Sequence, residues 1–349
     1  MKQESMLAAV LYGQRDVRIE RLPIPRVEQG EVLVKIDTAL TCGTDLKVYQ
    51  RGYHARMIVL PSVFGHEFSG TIVEVGPGVS DFHVGMRVVA ANSAPCGQCF
   101  YCRKQSFSAC TDLLFLNGAY AEYIKIPARI VRVNLLPIPD SVSFAAAAMV
   151  EPVACVVQGL EESDIREGDT VMVLGLGPIG LLFVRLAKLQ GARVLAFGRR
   201  AARLHAAERL GADAVFDVNT TGDVVGKVRS LTSGYMADRV VECVGLPAAW
   251  ELAVSCARRG GTVTLFGGCA AGTAVNLDAE RIHYDQLTVK SPFHHTPRHV
   301  REALRIIAAG MINPAEWISH TAPLTELPQV LADLSQSTDM LKVAIDPKQ

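Results

Sequence analysis

Val171-Met-Val-Leu-Gly175-Leu-Gly177-Pro178-Ile179-Gly180 lies near the middle of a 349-residue chain, and an apolar run at helical spacing, 181–189, follows it. A buried strand, a glycine turn and a helix start in that order form the geometry that receives a dinucleotide pyrophosphate. Gly175 admits the tight turn, Gly177 lets backbone N–H groups approach the phosphates, and Gly180 lets the helix lie close on the sheet. A G-x-G-x-x-G also occurs in turns that hold no nucleotide. The apolar strand before it and the apolar helix after it are the context that the motif needs.

Outward from this turn, short apolar strands at 171–174, 193–197, 214–216, 239–244 and 262–266 alternate with helical stretches at 179–189, 201–210 and 248–256, and 287–290 reads as a last strand. Such alternation implies βαβ units and a doubly wound parallel sheet, an α/β Rossmann domain over 153–292. Residues 1–152 have another texture. Their β-rich runs at 31–38, 70–75 and 86–91 are broken by Gly76-Pro77-Gly78 and Pro95, which suggests an antiparallel, barrel-like domain. After a helix at 300–309, the tail has no glycine turn of its own, and 293–349 is expected to return to the first domain.

Lysine plus arginine equals aspartate plus glutamate, 35 of each. A net charge of zero provides no electrostatic footprint for nucleic acid or an anionic membrane, so neither is expected as a partner. The apolar run 6–12 reads as a first strand, since Glu4 is acidic and no small-residue cleavage site follows. No run approaches the ~18 apolar residues that cross a bilayer. The expectation is a soluble, cytoplasmic protein. Nine cysteines are many for a reducing compartment, where metal binding explains clustered thiols better than disulfides do.

Cys96-x2-Cys99-x2-Cys102-x7-Cys110 sets four thiols in one loop, about 95–111, at a spacing that closes a tetrahedral zinc site with no open position. An iron–sulfur cluster or free thiols are the competing readings. A second constellation is dispersed over Cys42, His66, Glu67 and Glu151. Taken singly, Cys42 is packing, His66 a structural histidine and Glu151 a helix-end charge; together they make a donor set that Zn²⁺ accepts.

Cys42-Gly-Thr-Asp45, Gly65-His66-Glu67, the four-cysteine loop, Glu151-Pro152 and the glycine turn, in this order, resemble the zinc-dependent medium-chain dehydrogenase/reductases over almost the whole chain. The likeness is nearest to the branch with sorbitol and threonine dehydrogenases, because glutamate follows His66 and Glu151 stands where alcohol dehydrogenases carry cysteine. The resemblance implies a GroES-like barrel with an inserted Rossmann domain and an active site in the cleft between them. It also implies two zinc ions per chain, one structural, and one catalytic at Cys42 and His66 with Glu67 and Glu151 completing or exchanging at the ion. A homodimer or homotetramer through the Rossmann sheet edge is implied as well.

In such a site zinc acts as a Lewis acid on an alcohol, and hydride passes to nicotinamide. Thr44 matches the family's proton-accepting hydroxyl. Lys47 stands where many relatives have the relay's outer histidine, and an ordinary lysine with pKa ~10.4 is a poor base at neutral pH, so water is the other acceptor. NAD enzymes place an acid about 20 residues past the glycines. This chain has Gly198-Arg199-Arg200 instead, and no acid before Glu208. Two guanidiniums can grip a 2′-phosphate, which favours NADP(H) over NAD(H); the plainer reading is a pair of solvated helix-start charges. Val244 is placed with the cofactor-binding residues.

The function expected is oxidation of a secondary alcohol, a polyol, sugar or cyclitol, by NADP⁺. An NADPH-dependent carbonyl reductase and a non-catalytic, zinc-stabilised nucleotide sensor are the alternatives. For substrate contacts the sequence offers Phe293-His294-His295-Thr296 and, after the Cys42 loop, Tyr49, Arg51 and His54. Cys155, Cys243, Cys256 and Cys269 read as core packing.

Overall fold

The structure is a computed structural model that describes residues 4–53, 57–336 and 339–348. It divides into two compact units, Cys155–His294 and Met1–Ala154 with His295–Gln349.

In the first of these, six parallel strands lie in the order Ala214–Asp217, Arg193–Gly198, Thr170–Leu174, Ala237–Glu242, Ala257–Leu265, Thr288–Lys290. Numbered along the chain this is 3-2-1-4-5-6, the doubly wound Rossmann arrangement. Val171, Met172, Val173, Val194, Leu195 and Val240 are fully buried, as strands covered on both faces require. Pro178 opens the helix Pro178–Leu189, where its missing N–H costs nothing. At Gly180 a Cβ would lie 1.8 Å from the Gly175 carbonyl oxygen, so helix and turn meet at a distance only glycine allows. Two helices stand outside those expected from the sequence, Val224–Leu231 and Ala279–Tyr284, and each is capped by an aspartate side chain, Asp223 and Asp278.

The strand expected over 239–244 stops at Glu242. There the Glu242 carboxylate accepts the N–H groups of Val244 and Gly245, which turns the chain off the sheet.

The second unit holds a seven-stranded sheet in the order Leu135–Pro137, Arg87–Ala90, Glu67–Val75, Val32–Leu40, Lys342–Asp346, Ile318–Pro323, with Tyr123–Ile126 also on Val32–Leu40. Its pairs are antiparallel except the last two strands, which run parallel. The tail's final strand thus lies against Val32–Leu40, with Ala344 opposite Leu40. Val34, Ile36, Phe64, Phe68, Ile72 and Ile345 fill the core. A two-stranded ribbon, Ser93–Ala94 with Leu114–Phe115, closes the base of the cysteine loop.

One helical stretch, Phe144–Ser163, is long and apolar enough to cross a membrane, against the expectation that no run is, but 78% of its apolar window is buried inside the protein. Reading the apolar run as ended by Glu151 missed this, because the helix continues through that buried carboxylate.

Candidate metal and cofactor sites

The four-cysteine loop brings its sulfurs together. Cys96 Sγ lies 3.9 Å from Cys102 Sγ, and Cys99 Sγ lies 3.9 Å from Cys110 Sγ. A tetrahedron with Zn–S bonds of ~2.3 Å has edges of ~3.8 Å, so the cluster has the dimensions of a four-thiolate zinc site. Backbone N–H groups of Cys96, Cys99 and Cys102 donate to the sulfurs of Cys110, Cys96 and Cys99. The Cys102 N–H, with further donors, brings the Cys99 thiol down to about 5, while burial pushes the Cys102 thiol up to about 12. Four thiols so placed carry four negative charges together only beside a cation.

The dispersed constellation is assembled by a helix cap and a strand start. Cys42 caps the helix Gly43–Arg51: its sulfur accepts the Thr44 N–H, and its own N–H donates to Asp45. His66 immediately precedes the strand Glu67–Val75, and its Nδ1–H donates to Asp45 Oδ1 at 3.0 Å. A carboxylate only accepts, so this bond fixes the tautomer and leaves Nε2 as the ring nitrogen open to a metal. Tyr120 steadies the same carboxylate, donating to Asp45 Oδ2 at 2.6 Å. Burial opposes a charged His66, yet the Asp45 carboxylate and the Cys42 sulfur outweigh it and raise the imidazole well above its usual range. The donor atoms of Cys42, His66 and Glu67 all lie within 4.8 Å of one another. Thiolate, imidazole and carboxylate at that separation suit Zn²⁺.

Glu67 is fully buried and both its oxygens meet the buried Lys342 ammonium, at 2.7 and 2.5 Å. Lys342 also donates to the Thr41 carbonyl. Burial alone would lower Lys342, but the Glu67 carboxylate holds it above its ordinary value. Sequence reasoning missed Lys342. The one available signal is a charged residue inside the apolar run Leu341-Lys-Val-Ala-Ile345, 275 positions from its partner.

Glu151 stands outside the Cys42 trio. Its Oε1 lies 4.0 Å from His295 Nε2, and burial pushes its carboxyl up to about 7. His295 is buried and pairs through Nε2 with Asn92 at 3.1 Å.

Thr44 and His66 line one pocket with Met57, Ile58, Phe64 and Asn117. Lys47 is exposed and lines none of it. Tyr49 is buried in the core and its carbonyl accepts the Arg15 N–H, a structural role, and Arg51 faces solvent. His54 lies outside the described residues.

In the Rossmann unit a pocket of about 240 Å³ is bounded by Gly175, Gly177, Gly198, Arg199, Arg200 and Val244. Pro178, Ile179 and Gly180 do not line it; they form the first turn of the helix above it. Arg203 and Cys243 also line the pocket, with Leu174, Leu176, Phe197 and Val218, so Cys243 faces the pocket where the sequence suggests core packing. The available signal for Arg203 is its nearness in sequence, a third arginine within five residues of Arg199 and Arg200. Arg200 caps the helix Ala201–Arg209 with φ +74°, a backbone angle uncommon outside glycine.

Comparison with known proteins agrees with this geometry. Residues 28–140 match the alcohol dehydrogenase GroES-like domain and residues 178–309 match a zinc-binding dehydrogenase domain. Sorbitol dehydrogenase of Bombyx mori is 32% identical, with 97% of each chain covered. L-threonine 3-dehydrogenase of Bacillus subtilis (strain 168) is 32% identical over 99% of this chain and 97% of its own. A solved structure from Sinorhizobium meliloti 1021, described as a zinc-binding dehydrogenase bound to NADP, superposes with a TM-score of 0.91 at 31% identity, covering 99% of this chain and 100% of that one. With donor sets that suit zinc in one unit and a Rossmann pocket in the other, the chain belongs to the zinc-dependent medium-chain dehydrogenases, in the branch of the sorbitol and threonine dehydrogenases, and is an alcohol dehydrogenase that uses zinc and a nicotinamide cofactor.

Proposed function

We propose that this chain oxidises a secondary alcohol, a polyol, sugar or cyclitol, with NADP⁺, and that it holds two zinc ions, one at Cys42, His66 and Glu67 and one at Cys96, Cys99, Cys102 and Cys110. The observation that carries the reading is the convergence of three unlike donors within 4.8 Å, with His66 already oriented by Asp45. Cys42, His66 and Glu67 would hold zinc, which would supply Lewis acidity toward an alcohol oxygen, and a nicotinamide in the Rossmann pocket would supply the hydride acceptor.

The chain's own residues do the rest. Thr44, beside His66 in one pocket, takes the alcohol proton, and because Lys47 is exposed and outside that pocket, water is the final acceptor. Lys342 holds Glu67 in place, and Glu151 is the second carboxylate available for exchange. Arg199, Arg200 and Arg203 line the dinucleotide pocket, and three guanidiniums suit a 2′-phosphate where NAD enzymes carry a carboxylate. The NADP in a structure 31% identical over the full chain supports the same choice. The sorbitol and threonine dehydrogenases among the relatives support a hydroxylated substrate. Assembly through the edge strand Thr288–Lys290 and work in a reducing compartment complete the proposal.

The test is a panel of polyols, cyclitols, amino alcohols and simple secondary alcohols run with both cofactors, following absorbance of the reduced nicotinamide. The expected result is activity on a polyol or cyclitol with at least about a tenfold preference for NADP⁺ in kcat/KM. In Cys42→Ser, activity should collapse and zinc fall from two ions per chain toward one. A preference for NAD⁺ overturns the cofactor reading, and unchanged zinc in Cys42→Ser removes Cys42 from the site.

A further inference from the structure

Glu242 ends the strand Ala237–Glu242 with a fully buried carboxylate. One of its oxygens, Oε1, accepts two backbone N–H groups, from Val244 at 2.5 Å and from Gly245 at 2.8 Å. The other, Oε2, makes no hydrogen bond of standard geometry among the described residues, and the Gly267 N–H and the Trp250 indole lie near enough to favour the carboxylate. Two N–H groups converging on one oxygen fold residues 243–245 back over the strand end. That fold carries Cys243 and Val244 out of the sheet and makes them a wall of the pocket that Gly175 and Gly177 also line. The wall has no slack: a Cβ at Gly175 would lie 2.7 Å from Val244 Cγ2 and 3.2 Å from the Cys243 carbonyl carbon. On the other side Gly245 is equally confined, since a Cβ there would lie 2.5 Å from the Gly268 carbonyl oxygen.

An apolar residue at 242 would satisfy the sheet's buried environment and leave no carboxylate to desolvate. A buried polar atom without a hydrogen bond of standard geometry is unusual in folded proteins, and such atoms concentrate where function asks for a particular local shape. What the carboxylate adds is the turn itself. We propose that Glu242 is a positioning residue for the nicotinamide cofactor: through the Val244 and Gly245 N–H groups it sets the Val244 wall of the dinucleotide pocket, and the bond geometry, not the negative charge, is what the site uses. This rests on reading that pocket as the cofactor site. Burial pushes the Glu242 carboxyl up, which agrees with a group whose charge is dispensable.

The test compares wild type with Glu242→Gln and Glu242→Ala, titrating NADPH by the quenching of protein fluorescence and measuring the alcohol KM at saturating cofactor. Gln keeps an acceptor oxygen at the same reach, so its NADPH Kd should stay within about threefold of wild type. Ala should weaken NADPH at least about tenfold while the alcohol KM and the zinc content hold. If Glu242→Ala does not fold, as read by circular dichroism, Glu242→Asp replaces it, one methylene short of the same N–H groups, with the same expected loss. The inference is overturned if the shortened variant binds NADPH as tightly as wild type, or if Gln loses as much as Ala. Wild type titrated with NADPH and NADH separates the two claims, because failure to bind either one sinks the pocket reading, whereas tight binding by every variant sinks only the role of Glu242.

Discussion

Asp45 gathers three donors onto one buried carboxylate, the His66 imidazole, the Tyr120 hydroxyl and the Cys42 N–H. Each of these fixes a group at the metal cluster or directly behind it. Asparagine has nearly the same shape but presents an NH₂ group that cannot accept, so at least one of the three donors must face another donor. Asp45→Asn is therefore expected to lower zinc affinity at the Cys42 trio by ~10–100-fold, the usual effect of losing an outer-shell partner, with the four-cysteine site unaffected. Competition with a chromophoric chelator reads both sites; equal zinc release from mutant and wild type would show that Asp45 does not orient His66. Asp45 stands inside the Cys42-Gly-Thr-Asp motif, yet nothing in the motif's spacing indicates that its partner is a histidine 21 positions on. Cys42, His66 and Glu67 can be read from sequence because their side-chain chemistry suits a metal. Their supports, Tyr120 and Lys342, are ordinary residues until the fold brings them near.

At the scale of elements, the helix Ala201–Arg209 presents Arg203 to the same pocket as Arg199 and Arg200, which precede it. Arg203→Ala is expected to weaken NADPH by about tenfold and leave NADH within about twofold, because only the former carries a 2′-phosphate. Titration of both cofactors checks it, and an equal loss for the two would make Arg203 a general support of the pocket. The sheet itself depends on pH through Asp238. This aspartate accepts the Thr170 N–H at 2.8 Å and the Arg258 guanidinium at 2.5 Å, tying three neighbouring strands together. Burial raises its carboxyl, but the Arg258 bond and the Thr170 N–H outweigh burial and leave it below the ordinary value. A carboxyl lowered by folding adds stability above its unfolded pKa of ~3.9, and that contribution fades as pH falls through the folded value. Thermal unfolding should show Asp238→Asn less stable than wild type at pH 7, the gap closing below pH ~4. A gap that persists unchanged at pH 3 would mean that the ion pair contributes nothing there.

For the whole molecule, the four-cysteine loop is proposed as a staple on one unit. Cys99→Ser should bring zinc from two ions per chain to one and lower the melting temperature, as measured by metal analysis and a thermal scan, since binding energy at such a site is folding energy. Zinc held at two ions would exclude Cys99 as a ligand. The sequence by itself determined the alternation that makes a doubly wound sheet, the glycine turn at Gly175–Gly180 and the four-cysteine cluster. These are legible because periodicity, turn chemistry and metal-ligand spacing are local, recorded within about fifteen residues. Only the tertiary structure decided that Lys342 pairs with Glu67, that Glu151 stands by His295 and outside the Cys42 trio, that Arg203 and Cys243 join the pocket, and that the strand expected to reach Val244 stops at Glu242. Each of those depends on which side chains meet across the chain or at a strand's end. That is set by packing and by the satisfaction of buried polar groups, and neither leaves a periodic trace in the order of residues.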